Sequence, residues 1–396
     1  GKIAMYGKSP ASCANNWHRV LSFAWDSGQS TNIVSESSAT DAITLRGEAS
    51  SCNNGSSVYA TAVSSYYYTR IAAPNGGGVK LYGSMGSASY AAGTWGNDYQ
   101  PSAILELNYT QILANSGDID IIAERTSGSG NHEIRFNSRG GTSEDNIGYY
   151  PSGDISTGVA AYPTISVPAS TSDVTITGDS FVMDYARPRT TGNLVIEPFK
   201  DSFWTDQFYT TDWRAAFPTT YASVRIGKAG TNGGTQNNSH VYVDAIQSSG
   251  PISIYGNNIE ARGGITTSAT SGTGILLKAQ GTIFLTAGTS TTSKAYSVTG
   301  TNSTSPVTLW SNADGNATAD GYIYIGNYVD VTTQGGAITM GGSSAATDTS
   351  PGSYALAYTS GFAGIRMGTS NGTSNANVRV LSRGGDITMR GKSLAA

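Results

Sequence analysis

The sequence predicts an all-β protein, a right-handed parallel β-helix, on three observations. A short phrase recurs along the chain, apolar and polar residues alternate inside each copy, and no helical periodicity separates the copies. Each copy has a turn residue, then the alternating stretch, and often a second glycine. The copies are GKIAMYGKS from Gly1, DAITLRGEA from Asp41, GGVKLYGSM from Gly77, GDIDIIAER from Gly117, GPISIYGNN from Gly250, GTIFLTAGT from Gly281, GAITMGGSS from Gly336 and GDITMRGKS from Gly385.

The alternation predicts strands with one apolar face. A period of two places the first and third apolar residues of each phrase on the same side of a strand. One coil cannot cover its own apolar side, whereas coils stacked about 4.8 Å apart bury a continuous core. We therefore predict a single solenoid over residues 1–396 whose stacked, equivalent strands direct into one core Ile3, Ile43, Val79, Ile119, Ile252, Ile283, Ile338 and Ile387.

Composition supports this interpretation and excludes others. The chain has 396 residues with 50 Gly and 23 Tyr, and only 13% of it is charged, against about 25% in ordinary globular domains. The abundance of Ile, Val, Thr and Tyr argues against disorder. A net charge of −4 gives no reason to expect nucleic acid or an anionic membrane as a partner. No apolar stretch approaches the ~20 residues of a membrane span. A chain of β-sandwich modules is the alternative fold, but its hairpins require more Asn-Gly and Asp-Gly turns than occur.

One segment, residues 197–222, interrupts the pattern. It is dense in aromatic residues and alternates poorly, which predicts an insertion that leaves the coil path and packs outside. It has two interpretations: a hydrophobic cover over the coils, or a platform on which sugars stack. In the second interpretation the surface or ligand residues are Trp204, Asp206, Tyr209, Asp212 and Trp213.

Residues that carry chemistry are sparse, and no catalytic, metal or cofactor site is predicted. Cys13 and Cys52 are the two cysteines, and they either form a disulfide in an oxidising compartment or remain buried thiols. The loop from Asn312 to Gly321 resembles a calcium loop in composition but lacks the ligand order of an EF-hand, so a plain polar turn is the main interpretation. The remaining candidates are Asp118 and Asp120, predicted to be outward and solvated, and the separated histidines His18, His132 and His240.

A family resemblance follows from the words GILLKA, LWSNADG and GGAITMGG, which lie between Thr191 and Ser344. This stretch resembles the repeat regions of very large bacterial surface and secreted proteins of the filamentous-haemagglutinin type. The resemblance implies a β-helical, extracellular, adhesive or structural shaft, and it brings no catalytic residues with it.

The function expected from these observations is an extracellular structural or adhesive shaft on a bacterial surface. The alternative is a carbohydrate-active enzyme, a polysaccharide lyase or hydrolase, on a β-helix. Because the first phrase and the last phrase nearly match, the expected partners are adjoining repeats or copies of the chain, end to end, and glycans or other surfaces. A covalent tandem is favoured over stacked subunits, and chance recurrence of the phrase is the third explanation.

Overall fold

The computed structural model describes the chain as strands and turns, with no helix among the described residues. These are residues 1–9, 17–24, 30–50, 59–65, 69–86, 103–108, 110–127, 132–137, 145–147, 170–183, 186–188, 190–203, 207–209, 221–230, 239–243, 245–286, 296–359, 362–368 and 377–394. They cluster into two compact units, the first reaching Lys200 and the second beginning at Asp201.

The first unit contains sixteen strands among its described residues. They are β1 (Ile3–Lys8), β2 (Trp17–Phe23), β3 (Thr31–Val34), β4 (Ile43–Ala49), β5 (Tyr59–Ser65), β6 (Thr69–Ala73), β7 (Val79–Met85), β8 (Ala103–Asn108), β9 (Thr110–Ala114), β10 (Ile119–Arg125), β11 (His132–Asn137), β12 (Asp145–Ile147), β13 (Val174–Thr177), β14 (Phe181–Met183), β15 (Ala186–Pro188) and β16 (Asn193–Glu197).

The second unit continues with strands that are mostly shorter. They are β17 (Gln207–Tyr209), β18 (Ser223–Ile226), β19 (His240–Val243), β20 (Ile246–Ser248), β21 (Ile252–Gly256), β22 (Ile259–Ala261), β23 (Ile265–Thr267), β24 (Ile275–Ala279), β25 (Ile283–Leu285), β26 (Tyr296–Gly300), β27 (Val307–Trp310), β28 (Ile323–Ile325), β29 (Val329–Thr333), β30 (Ile338–Gly341), β31 (Ala355–Ala357), β32 (Ile365–Met367), β33 (Arg379–Leu381), β34 (Ile387–Met389) and β35 (Gly391–Ser393).

The strands stack in parallel, in most steps every third one along the chain, so each full coil contributes one strand to each of three sheets. In the first unit the sheets run β1-β4-β7-β10-β13-β16, β2-β5-β8-β11-β14 and β3-β6-β9-β12-β15. In the second they run β18-β21-β24-β27-β30-β34, β17-β19-β22-β25-β28-β32 and β20-β23-β26-β29-β33. This topology confirms the parallel β-helix that the recurring phrase predicts.

The inward residues of the first sheet of each unit form in-register rows. The row of the first unit is Ile3, Ile43, Val79, Ile119, Val174 and Leu194. The row of the second unit is Val224, Ile252, Ile275, Val307, Ile338 and Ile387. The residues between the ends of each row are at most 2% exposed, so each row is a continuous strip of buried aliphatic side chains.

Two of the eight predicted core residues differ from the prediction. Ile283 is fully buried, but it pairs with Ile259 and Ile323 in the sheet of β19 and β25, so its phrase marks a different face of the coil. Ile387 is 42% exposed because β34 is an edge strand, paired only with β30. The other six residues occupy the predicted rows.

The last copy of the phrase is split between two sheets. Ile387 and Met389 pair with Ile338 and Met340, as the prediction of an equivalent strand requires. Gly391 then leaves this sheet and pairs with Ala355, in the two-stranded sheet of β31 and β35. In β1, by contrast, the matching residues Gly7 and Lys8 remain in the first sheet.

The aromatic segment 197–222 lies partly in the coil path. Gln207–Tyr209 form β17, which pairs in parallel with β19, so these three residues do not pack outside the coils. Phe203 and Tyr221 are buried, at 2% and 0% exposure. Residues 204–206 and 210–220 lie outside the described part of the chain, and the insertion predicted there stays a prediction.

The second glycine of the phrase allows one strand to approach the next along the chain. Gly47 of β4 pairs with Gly7 and Gly83, so glycines align on three successive coils. A Cβ atom on Gly47 would lie 2.1 Å from the carbonyl oxygen of Ala62 in β5. Because that atom is backbone and cannot rotate away, only glycine fits.

Buried hydroxyl groups close the corner that precedes the first sheet. In five of these corners a Ser or Thr oxygen accepts a hydrogen bond from the backbone N–H two residues later, as in an ST turn. All five are at most 4% exposed. These corner hydroxyls are Ser35, Ser170 and Thr190 in the first unit and Ser248 and Thr267 in the second.

We predict that Thr267→Val destabilises the second unit by about 2 kcal/mol. Thr267 Oγ1 donates to the Gly250 carbonyl at 2.6 Å and accepts from the Ala269 N–H at 3.1 Å, so valine leaves two buried backbone groups unsatisfied. Urea denaturation followed by circular dichroism measures the change. The control is Thr266→Val, at the half-buried outward position of the same strand, which we expect to be nearly neutral. Equal stability of the two variants would contradict the role of the hydroxyl.

Candidate functional site

The best-defined surface feature is a strip of aromatic rings on the outer face of one sheet of the second unit. In the sheet of β19, β22, β25, β28 and β32, inward residues such as Ile283 and Ile323 alternate with outward ones. The outward positions therefore line up from coil to coil about 4.8 Å apart. The outward row is Tyr242, Glu260, Phe284, Tyr324 and Arg366.

Four half-buried rings of this face contact one another and form what we call the aromatic strip: Phe284, Tyr322, Tyr324 and Phe362. The ring of Phe284 lies edge-on to Tyr322 and Tyr324, with centroid distances of 5.7 and 6.4 Å. Tyr322 and Phe362 are stacked, 5.4 Å apart and inclined by 24°. Both arrangements are favourable for aromatic pairs. Burial raises the pKa of the Tyr322 phenol, which therefore stays neutral at physiological pH.

One end of the outward row carries a compact group of charged and aromatic residues. Arg262 Cζ lies 3.9 Å from the centroid of the Tyr242 ring, and Arg262 Nε donates to Glu260 Oε1 at 2.7 Å. The imidazole of His240 also stacks on the Tyr242 ring, with the two centroids 4.2 Å apart. Burial lowers the pKa of His240, while Glu260 acts in the opposite direction. The imidazole is therefore neutral at pH 7, and the carboxylate of Glu260 forms an ion pair with Arg262.

The other end of the outward row carries Arg366, whose guanidinium has no carboxylate partner among the described residues. Arg366 Cζ lies 5.7 Å from the Tyr324 centroid and 5.9 Å from the Phe362 centroid. Within the described ranges no Asp or Glu pairs with Arg366. The nearby Asp320 accepts hydrogen bonds from the backbone N–H groups of Tyr358 and Thr359, at 2.7 and 2.9 Å. Arg366 is thus available to an external anion.

In the first unit, a row of paired outward residues differs from this end of the aromatic strip. We call this row, Tyr6, Arg46 and Tyr82, the outward ladder. Arg46 Cζ lies 5.9 Å from the Tyr6 ring centroid and 4.8 Å from that of Tyr82. Its guanidinium is already bound by Glu48, whose Oε1 is 2.9 Å from Arg46 Nε and 2.7 Å from Nη2. Tyr6 also donates to Glu48 at 2.9 Å. The charges of this ladder are neutralised internally, unlike that of Arg366.

Two of the stretches that carry the family resemblance, GILLKA and LWSNADG, contact each other through Lys278 and Trp310. These residues are Cα partners on β24 and β27, and Lys278 Nζ lies 3.7 Å from the Trp310 ring centroid. Trp310 Nε1 donates to Ser343 Oγ at 2.7 Å. Burial lowers the pKa of Lys278 to about 8. At 5% exposure this ammonium contributes to packing through a cation–π contact and is inaccessible to a polymer.

A second charged cluster is sealed inside the first unit. Arg125 and Glu133 are 1% and 0% exposed, with Arg125 Nε 3.6 Å from Glu133 Oε1. Glu133 Oε2 accepts a hydrogen bond from the Asp179 N–H at 2.6 Å. Burial raises the pKa of Glu133 to about 7, with the charge of Asp179 adding to the effect and Arg125 opposing it. Because the cluster is closed to solvent, its carboxylates cannot reach a macromolecular substrate.

The residues predicted as a ligand platform are mostly outside the described part of the chain. Trp204, Asp206, Asp212 and Trp213 fall there, as do Cys13 and Cys52, so their predicted roles stay predictions. Tyr209 lies in β17, where its Cα partner is Tyr242. The backbone therefore places Tyr209 next to the outward row.

The remaining sequence candidates have separate positions. Asp118 is exposed and Asp120 is half-buried, in agreement with their predicted outward direction. Burial raises the pKa of Asp120, and Lys80 opposes that shift. His18 lies in β2 and His132 in β11, apart from His240 in β19.

The polar loop from Asn312 to Gly321 uses its side-chain oxygens on its own backbone. Asp314 Oδ1 accepts from the Asn316 N–H at 3.1 Å, and Asn316 Oδ1 accepts from the Thr318 N–H at 2.9 Å. These are Asx turns. Among the described residues, no group of three His, Cys, Asp or Glu side chains is arranged to hold a metal ion.

The aromatic strip was not predicted, although a signal for it exists in the sequence. In GTIFL and GYIYI, an aromatic residue occupies a position between two inward apolar residues. Phe284 and Tyr324 are these residues. Small polar residues are common at outward positions of this chain, so paired outward aromatics on successive coils indicate a surface with its own role.

Comparisons with known proteins identify no relative of this chain, so its class is given by its fold alone. No protein-family model, no curated protein and no solved structure matches it. The described residues include no helix long and apolar enough to cross a membrane. The protein is defined by its fold, a parallel β-helix, and by the aromatic strip on its outer face.

Proposed function

We propose that this chain is a structural and adhesive segment of a bacterial surface or secreted protein, in which the β-helix is a stiff shaft. The resemblance to the repeat regions of filamentous-haemagglutinin-type proteins supports this proposal. On this proposal the protein lies outside the cell and has a mechanical rather than a catalytic role.

The observation that carries the proposal is the ladder between coils. Backbone hydrogen bonds join each coil to the next, for example from Ile252 N to Gly274 O at 2.8 Å and from Ile275 N to Pro306 O at 2.9 Å. Behind them lies the buried aliphatic row, from which water is excluded. To bend such a stack, hydrogen bonds and apolar contacts must separate together, so the coils resist deformation.

The exposed edge of β34 supports association of the shaft with further coils. Ile387 and Met389 are 42% and 46% exposed, whereas their partners Ile338 and Met340 are fully buried. An exposed edge that presents apolar side chains and free backbone groups is a template for another strand. We propose that further coils of this kind cover it, as adjoining repeats or as a second copy of the chain.

The test is electron microscopy of the purified protein over a range of concentrations. We expect rods that join end to end as the concentration rises. The double variant Ile387→Lys/Met389→Lys places two charges on the exposed edge, and we expect its rods to remain single. The control is Tyr354→Lys/Tyr358→Lys, at two residues that are each 50% exposed and lie outside the edge strand.

The outcomes separate the alternatives. Particles without a rod shape contradict the shaft, and rods that stay single at every concentration contradict end-to-end association of copies. Equal loss of association in both double variants contradicts the role assigned to β34. Turnover of an acidic polysaccharide by the purified chain would instead support the alternative, a carbohydrate-active enzyme.

A further inference from the structure

The aromatic strip has the properties of a binding surface and is distinct from the apolar core. Two of its rings, Phe284 and Tyr324, lie at outward positions on successive coils, and all four rings are half-buried and linked by ring contacts. Neighbouring contacts hold each ring in place, so a ligand would lose little affinity to their ordering. The row ends at Arg366, whose guanidinium has no carboxylate partner within the described part of the chain.

We propose that the aromatic strip binds an acidic polysaccharide that lies along the stacking direction of the coils, with its sugar rings on Phe284, Tyr324 and Phe362 and an acidic group on Arg366. This inference deepens the adhesive part of the proposed function, on which it rests, by naming the class of ligand. It assigns no reaction to the surface.

Stacking chemistry favours a sugar. Aromatic faces carry partial negative charge and attract the partially positive C–H groups of an apolar face. Sugar rings present such C–H faces and surround them with hydroxyl groups. Tyr322 and Tyr324, whose rings lie edge-on to Phe284, carry phenol hydroxyls that can form hydrogen bonds with the sugar hydroxyls. A surface that combines apolar rings with hydrogen-bonding edges suits this amphipathic ligand.

Charge complementarity favours an acidic sugar. The planar guanidinium of Arg366 can bind a carboxylate or sulfate through two parallel hydrogen bonds. Arg262 at the other end of the row is engaged by Glu260 at 2.7 Å and adds no free positive charge. The strip therefore offers one anchoring point for an anion together with several stacking surfaces, as a polymer with spaced acidic groups requires.

The same charge balance argues against single-stranded nucleic acid. Proteins that bind it combine stacking rings with a positively charged groove that follows every phosphate. Among the described residues of the strip, one guanidinium without a carboxylate partner accompanies the rings, which is too little positive charge to follow every phosphate.

The experiment is affinity electrophoresis in gels that contain sodium alginate, hyaluronan or neutral dextran. We expect alginate or hyaluronan to retard the wild-type protein and dextran to leave its mobility unchanged. Arg366→Gln should weaken the interaction with the acidic polymer about tenfold, because one charged hydrogen-bonding partner is lost. Phe284→Ala/Tyr324→Ala removes two stacking rings, and we expect it to abolish retardation.

Controls make the result specific. Tyr6→Ala removes an exposed ring from the outward ladder of the first unit, and we expect wild-type retardation. Far-ultraviolet circular dichroism confirms that each variant is folded. The proposal is overturned if neither acidic polymer retards the wild type, if dextran retards it equally, if the strip variants are retarded like the wild type, or if oligo(dT) binds more tightly than the acidic polymers. None of these results bears on whether microscopy shows rods, so failure here is distinct from failure of the shaft.

Discussion

Gly250→Ala is expected to prevent the second unit from folding, or to destabilise it by more than about 4 kcal/mol. A Cβ atom on Gly250 would lie 1.5 Å from the carbonyl oxygen of Ala222 and 2.4 Å from its carbonyl carbon. Both atoms are backbone, so relief requires the corner to move away from the preceding coil. That movement would also break the hydrogen bonds from Gly250 N to Tyr221 O and to Ser248 Oγ.

The matched control for this substitution is Gly264→Ala in the same unit. There the nearest atom to an added Cβ is Ser297 O at 3.7 Å, an ordinary van der Waals distance. We expect this variant to express and unfold like the wild type. Soluble yield and thermal unfolding followed by circular dichroism measure both variants. If Gly250→Ala were as stable as Gly264→Ala, the close approach between the two coils would be wrong.

Stability of the first unit is expected to fall as the pH rises from about 4.5 to 7 through the titration of Glu133. Its pKa is raised to about 7 in the fold from the ordinary glutamate value of 4.5, mainly by burial. Between these values the folded state holds a proton that the unfolded state has released, so each increase in pH favours unfolding. A difference of this size corresponds to about 3 kcal/mol across the window.

Comparison with Glu133→Gln isolates this contribution, because glutamine is close in shape to the protonated acid and does not titrate. We expect the variant to gain about 2–3 kcal/mol relative to the wild type between pH 5 and pH 8. Arg125 keeps Asp179 as a nearby opposite charge in this variant. The control is Glu106→Gln, at a buried glutamate 3.9 Å from Arg135.

Urea denaturation at a series of pH values gives the free energies of unfolding for both comparisons. Glu106→Gln measures the effect of replacing a different buried glutamate by glutamine. A constant difference between Glu133→Gln and the wild type at every pH would contradict the titration of Glu133 in the fold.

The first strand of each coil was predictable because it carries two signals at once. In β21 the inward residues Ile252 and Ile254 alternate with half-buried ones, and Gly250 marks the corner before them. Length helps as well, since strands of five to seven residues show their period clearly. The sequence therefore locates most strands of the first sheet in each unit, and the structure confirms their parallel stacking.

The second and third strands of a coil were harder to locate. Several contain three residues, such as Ile265–Thr267 in β23 and Ile246–Ser248 in β20, too few to show a period. The phrase at Gly281 also has the same form as those of the first sheet, yet it starts β25 in another sheet. A turn followed by alternation marks the beginning of a strand and says nothing about which face of the coil that strand occupies.

For the aromatic strip too, the sequence predicts one part of the arrangement and only the structure decides the other. Alternation in GYIYI determines that Tyr324 faces outward when Ile323 and Ile325 face the core. It does not determine that Phe284 and Arg366 flank Tyr324, since loops of different length separate the three strands. Their neighbourhood depends on the register between coils.

The sequence by itself determined that this chain forms strands with one apolar face, where its corners lie and which residues turn inward, because these follow from local sterics and a period of two. Only the tertiary structure decided which sheet each strand joins, that Arg125 and Glu133 meet in the interior, and that rings distant in sequence form one surface. The physical reason is that parallel coils are joined through hydrogen bonds between residues far apart in the chain, and loop lengths that carry no local signal set their register.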